Sequence, residues 1–236
     1  MRATSSEKPA TRHIHRDFEC ELRQLKESLL KMGGRVEQMI GEATRSLLAR
    51  DVEAADAVVV ADRAVNDDEK QIDSLCLTML AKRQPMGSDL RFITRALKMV
   101  TDLERIGDLA VNVARNARDL AELGEPDATV HPAIERMTEV VRELVARALD
   151  AFVDRDPELA REVIERDDEV DELHDQIYEE TLAQMLADPE RLAFGIRVID
   201  SARFLERMGD HACNVAEQVV FLVRGEDIRH PSSVAK

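Results

Sequence analysis

The stretch Asp102-Leu103-Glu104-Arg105-Ile106-Gly107-Asp108 returns as Phe204-Leu205-Glu206-Arg207-Met208-Gly209-Asp210, 102 residues further along a chain of 236. The match continues through Ala110/Ala212, Asn112/Asn214, Val113/Val215 and Ala114/Ala216, and eight of the thirteen positions from Glu104 to Asn116 are identical. Agreement at a fixed spacing marks an internal duplication. In each copy a Glu, an Asp and an Asn fall at i, i+4 and i+8. That spacing puts Glu104, Asp108 and Asn112, and again Glu206, Asp210 and Asn214, on one side of a helix.

A second register supports the duplication. Arg50-Asp51 aligns with Arg155-Asp156, Val58 with Val163, Asp62 with Asp167, and Gln71-Ile72 with Gln176-Ile177, at a spacing of 105. The spacing shortens to 102 between the second and third helix of each half, so the second turn is three residues shorter, as indels in loops allow. Apolar positions from His15 to Ala49 step by three or four, the mark of one long amphipathic helix. Gly33-Gly34 in its middle kinks that helix or lets another cross close by. Asp51 caps a second helix to about Arg83, Gln84 to Asp89 form a turn, and a third helix runs to Leu123. The plan repeats with a helix from about Pro132 to Val153. Another starts at Asp156-Pro157 and ends near Leu186, and a last one starts at Asp188-Pro189 and runs to Arg224. Strand-like alternation is absent. The expected fold is all-α, two tandem antiparallel three-helix bundles spanning 14–124 and 130–225, with flexible tails at 1–13 and 226–236.

Composition narrows the function. Aromatics are 3% of the chain and aliphatic residues abound, which suits helix-on-helix packing. The net charge of −15 repels a phosphate backbone or an anionic membrane surface, which argues against nucleic-acid binding. The same charge serves solubility or attracts cations and basic partners. Cys20, Cys76 and Cys213 form no CxxC pair, so they read as small buried residues of a reducing compartment. With no signal peptide and no apolar run long enough to span a bilayer, the expected location is cytoplasmic, without membrane insertion.

Acidic residues interrupt the apolar stripes at matching places. In the second helix these are Asp62, Asn66 and Glu69, and in the fifth Asp167, Asp171 and His174. Folding each helix pair about its turn sets Asp62 and Asn66 against Asp108 and Glu104, and Asp167 and Asp171 against Asp210 and Glu206. Carboxylates so placed repel one another unless a cation sits among them, protons are taken up or solvent reaches them. Oxygen-rich clusters suit hard cations or iron. Gly107 and Gly209, inside helices, make room for a close helix, a water or an ion. The candidate metal ligands are therefore Asp62, Asn66, Glu104, Asp108, Asn112, Asp167, Asp171, Glu206, Asp210 and Asn214, with iron, manganese or magnesium as the ion. The competing reading is a solvated acidic stripe paired with Arg105, Arg207, Arg115 or Lys70. The Glu-x-x-His motif of di-iron bundles is missing at Glu104 and Glu206, His174 reads as a core-edge residue and His211 as outward-facing. No Ser/His/Asp constellation or phosphate-binding Gly loop is present, and no catalytic residue is assigned.

These motifs resemble the PhoU family of phosphate-signalling proteins. The likeness rests on Asp102-x-Glu104-Arg105-Ile106-Gly107-Asp108-x3-Asn112, on Glu206-Arg207-Met208-Gly209-Asp210-x3-Asn214 and on the opening Phe18-x2-Glu21-Leu22-x2-Leu25, and it covers residues 14 to 224. The resemblance implies two three-helix repeats and a cytosolic, non-enzymatic negative regulator of the phosphate-starvation response. Such a protein connects the ATPase of a phosphate ABC transporter to a sensor histidine kinase, and a homodimer is expected. The resemblance also implies iron-type clusters on the ExxxD helices. Two departures, Phe204 in place of Asp102 and Asn66 in place of Asp171, predict unequal sites, the first being the weaker. A metal-dependent helical enzyme or a metal-binding structural protein are the alternatives.

Overall fold

The computed structural model describes residues 9–124 and 128–225, with side chains from Asp17 onward. Seven helices follow one another: α1 (Pro9–Ala49), α2 (Val52–Arg83), α3 (Gly87–Leu123), α4 (Ala133–Asp154), α5 (Pro157–Arg166), α6 (Asp168–Ala187) and α7 (Leu192–Arg224), with a 3-10 turn at Pro189–Arg191 before the last. Among the described residues there is no strand. α1, α2 and α3 form the first bundle; α4, α5/α6 and α7 form the second. Residues 1–8, the linker at 125–127 and the tail at 226–236 lie outside the described residues.

The duplicated start signals act as expected. The Asp51 carboxylate accepts from the Ala54 amide at 3.0 Å, and that of Asp156 from the amides of Glu158 and Leu159 at 2.9 and 3.1 Å. The residues just before them, Arg50 and Arg155, both adopt left-handed backbone, at φ 52° and 55°. That conformation costs a non-glycine residue about 1–2 kcal/mol. A compensating contact crosses between the halves: the Arg50 guanidinium lies 4.9 Å from the Phe194 ring, and Arg155 lies 5.2 Å from the Phe92 ring. Each half thus caps an aromatic of the other, a cation–π contact worth roughly 0.5–2 kcal/mol.

Three expectations need correction. The fifth helix is not continuous. It breaks at Asp167, whose carbonyl accepts from the Val170 amide at 2.8 Å and the Asp171 amide at 3.2 Å across a tightened first turn of α6. Asp168, Glu169 and Asp171 then occupy the first turn of α6, where a helix N-terminus favours acids. The first helix begins at Pro9, inside the segment read as an arm. Finally, the halves are not separate units on a linker, because one hydrophobic core runs without interruption from Leu25 to Leu222.

Two antiparallel helix pairs join the halves. Along α3 and α7, Arg95 donates to Gln218 at 2.6 Å, Asp102 meets His211 at 2.9 Å, and Asn116 donates to the Arg197 carbonyl at 3.3 Å and to Ser201 at 3.0 Å. Residue numbers rise on α3 as they fall on α7. Adding or subtracting 102 turns the Arg95–Gln218 pair into Arg197–Asn116, so the interface is quasi-twofold. Along α1 and α4, Lys26 donates to the Val153 carbonyl at 2.6 Å and Thr44 shares a buried hydrogen bond with Thr138 at 2.9 Å.

The Gly33-Gly34 pair sits on this second interface, and its two members have separate roles. A methyl group on Gly33 would overlap Cδ1 of Leu149 on α4, whereas one on Gly34 would meet nothing within 4 Å. The pair therefore marks a close crossing. Gly34→Ala is expected to stabilise the protein by up to about 1 kcal/mol through helix propensity. Gly33→Ala is expected to cost about 1–3 kcal/mol from overpacking, less that same gain. Urea denaturation of the two variants checks this; equal shifts would remove the crossing as the reason for Gly33.

Candidate metal centres

The ten predicted residues fall into two seams, one between α2 and α3 and the other between α5/α6 and α7. They lie at the edge of each bundle and not in its interior. Most are half-buried, and Asp171, Asp210 and Asn214 are exposed. The two registers of the duplication meet here. Asp62 sits against Gly107, and Asp167, 105 residues on, sits against Gly209, 102 residues on. A Cβ on Gly107 would lie 3.6 Å from Asp62 Oδ1, and one on Gly209 would lie 2.6 Å from Asp167 Oδ1. The room these glycines leave is thus taken by a carboxylate of the facing helix. In both halves that Oδ1 is buried without a hydrogen-bond partner among the described residues. An orphaned carboxylate oxygen is costly, and a cation is one group that would satisfy it.

In the first seam Asp62 Oδ2 accepts from Asn66 at 2.8 Å. Burial, and then the nearby Asp108, raise the Asp62 carboxyl above its ordinary range. Burial raises Glu104 too, with Asp108, Glu69 and Asp62 adding to it and Arg105 opposing. Arg105 reaches Glu104 at 3.5 Å and Asp108 at 3.2 Å, and Arg115 donates to Asn112 at 3.0 Å. The competing reading of arginine-paired acids therefore describes part of this seam.

The second seam lacks such pairing. Among the described residues no arginine or lysine lies within ion-pair distance of Asp167, Asp171, Glu206 or Asp210. Burial pushes Asp167 up to about 6; Asp171, Asp210 and Glu206 add to this, and a hydrogen bond from Cys213 opposes it. Burial and then Asp210 raise both Asp171 and Glu206, while His174 opposes on each. The side chains of either seam face one another without closing on a point. Among the described residues no group of three or more His, Cys, Asp or Glu stands in ligating arrangement. Ligation would draw in half-exposed side chains by rotamer change. The orphaned oxygens, the glycine cradles and the all-oxygen majority of donors fit a divalent cation.

Other positions differ from expectation. His211 does not point outward; it joins Asp102 across the α3–α7 interface. Asp102 therefore belongs to that interface and not to the first seam. Cys20 is exposed, against the expectation of burial, while Cys76 is buried. Glu69, which faces Glu104, belongs with the first seam although the Glu/Asp/Asn spacing does not include it. Its signal was the shared register with His174.

A family model described as PhoU domain matches residues 29–117 and 134–219. The phosphate-specific transport system accessory protein PhoU homolog of Pseudomonas putida is 41% identical over 221 residues, covering 93% of this chain and 86% of that protein. The crystal structure of PhoU from Pseudomonas aeruginosa superposes with a TM-score of 0.83 at 40% identity, covering 89% of this chain and all of the other. That of the phosphate transport system regulatory protein PhoU from Streptococcus pneumoniae gives 0.82 at 26% identity, covering 89% and 99%.

A carboxyl raised on folding binds protons more tightly in the native state. Its stabilising effect is present at low pH and fades as pH rises from about 4, its unfolded value, through the folded value of about 6. Asp167→Asn removes the buried charge. It is expected to stabilise the metal-free protein by about 1 kcal/mol near neutral pH, a figure discounted for partial solvation. The gain should vanish toward about pH 4. Denaturation midpoints across that range check the sign; a gain that persists in acid would point to packing and not charge.

Proposed function

The chain belongs to the PhoU family, and from that premise we propose that it is an accessory regulator of phosphate uptake. It works in the cytoplasm as a non-enzymatic adaptor. It docks on the ATPase of a phosphate ABC transporter and on a sensor histidine kinase, and damps the phosphate-starvation response when phosphate is plentiful. The observation that carries the reading is the 41% identity along 93% of the chain to a protein named as a phosphate-transport accessory. Among the described residues no helix is long and apolar enough to cross a membrane, which suits a protein that acts by docking.

The seams supply the adjustable part of this reading. Asp62, Glu104 and Asp108 with Asn66 and Asn112 would hold one cation site; Asp167, Asp171, Glu206 and Asp210 with Asn214 would hold the other. A bound divalent or iron-type ion would supply positive charge that cancels the repulsion between facing carboxylates. The residues themselves set how closely α2 approaches α3, and α5/α6 approaches α7. Repulsion widens a seam and neutralisation narrows it. The outer helices thereby present a docking surface whose shape depends on seam charge.

Deleting the gene should switch on a phosphate-starvation reporter in phosphate-rich medium, and the intact chain should restore repression. Failure to restore it would overturn the regulatory role. Separately, saturating iron(II), manganese or magnesium should raise the melting temperature of purified wild type, by an amount equivalent to about 2.7 kcal/mol at a hundredfold excess over Kd. An unchanged melting temperature with every ion would remove the metal from the proposal.

A further inference from the structure

α1 packs on α3, α4 on α7 and α1 on α4, so one side of the central helix pair is covered and the other is open. The open side carries cations in a chain of net charge −15. Lys98 and Arg105 stand one turn to either side of Asp102 on α3, Arg207 stands one turn before His211 on α7, and Arg203 a turn before that; all four are exposed. Arg105 and Arg207 are duplicates, 102 residues apart, and they flank the quasi-twofold axis. Arg105 is shared between Glu104 and Asp108. Among the described residues Lys98, Arg203 and Arg207 have no carboxylate within ion-pair distance, and Arg203 acts on Glu206 only from further away. Like charges at i and i+4, as at Arg203 and Arg207, repel and weaken a helix. Cations so placed are unfavourable in the free chain and are neutralised by an outside anion.

The pattern around these cations selects the anion. Glu104 and Asp108 border the band on the outer side of α3, and Glu206 and Asp210 on the outer side of α7, so charge runs negative, positive, negative across the face. A broad polyanion, such as a nucleic acid or an anionic membrane, is attracted at the middle and repelled at both sides. A single helix lying along α3 and α7 meets the middle alone, since packed helices lie about 8–10 Å apart. From Lys98 to Arg105 is about 10 Å along α3, the reach of acids at i, i+4 and i+7 on a facing helix. Half-buried Phe204 lies in the same band and gives such a helix an apolar footing. We propose, on the adaptor reading above, that this face is the docking surface for a partner-protein helix with an acidic stripe.

Binding of the full chain to the purified transporter ATPase and to the purified cytoplasmic part of the kinase, across a salt series, tests this. Arg203→Gln/Arg207→Gln is expected to weaken binding to at least one of them roughly tenfold at low salt, and Lys98→Glu/Arg207→Glu to weaken it further. The difference from wild type should close as salt is raised to about 1 M, where charges are screened within about 3 Å. Arg23→Glu/Lys82→Glu changes exposed cations on α1 and α2, away from this face, and should bind as wild type does. A photo-crosslinking amino acid placed at exposed Thr101, in the middle of the band, should join a partner helix with acids at those spacings. Unchanged affinity in both α3–α7 variants, a loss that persists at high salt, an equal loss in the α1/α2 control, or a crosslink to a segment without such acids overturns the proposal and leaves the adaptor reading standing. If wild type binds neither protein, both readings fall.

Discussion

The antiparallel contact between α3 and α7 is the constraint from which the rest of the molecule follows. Alanines at 96, 110, 114 and 117 on one helix and at 202, 212 and 216 on the other are buried, so the two helices are able to approach closely. That contact places both third helices at the centre. Each then has one flank against its duplicate and the other against the helix that precedes it. The acidic seams occupy that second flank. Together with the α1–α4 crossing, the α3–α7 contact makes the core continuous and sets Arg50 and Arg155 over aromatics of the opposite half.

Within this frame the seams set several carboxylates against one another. A buried carboxylate oxygen without a partner, pressed against a helix from which the side chain has been removed, is a poor choice for stability alone. The same arrangement occurs twice, at Asp62 with Gly107 and at Asp167 with Gly209. In one seam an arginine within ion-pair distance offsets part of the conflict; in the other the opposing influences are Cys213 on Asp167 and His174 and Arg203 on Glu206. The break between α5 and α6 falls at Asp167 itself, which places the start of a new helix beside the unpaired acids.

Much of this was legible in the sequence. Helix order and caps followed from apolar spacing and from Asp51, Asp156-Pro157 and Asp188-Pro189, because local chemistry controls helix ends. The pairing of Asp62 with the Gly107 region and of Asp167 with that of Gly209 followed from counting outward from the turns. Three things were not legible, each for a physical reason. The break at Asp167 is a one-residue change in backbone hydrogen bonding, which apolar periodicity does not report. The fusion of the two bundles into one core depends on which stripe of α3 meets α7, and both stripes of that helix are apolar. His211 follows an aspartate on a repeated motif and reads as outward, yet its partner Asp102 lies on a helix of the other half.

The quasi-twofold interface also bears on how the chain diverged from its duplicate. In a symmetric pair of identical units, every substitution is made twice and must suit both places at once. Here the Asp102–His211 contact has its counterpart in the register position that sets Phe204 opposite Leu109, a polar pair on one side of the axis and an apolar pair on the other. Neither half could carry both pairs if the halves were copies of one sequence. Covalent fusion removed that restriction and let each side of the axis change alone. The unequal acidic seams are the same freedom expressed at the sites: one chain, two environments, each tuned without disturbing the other.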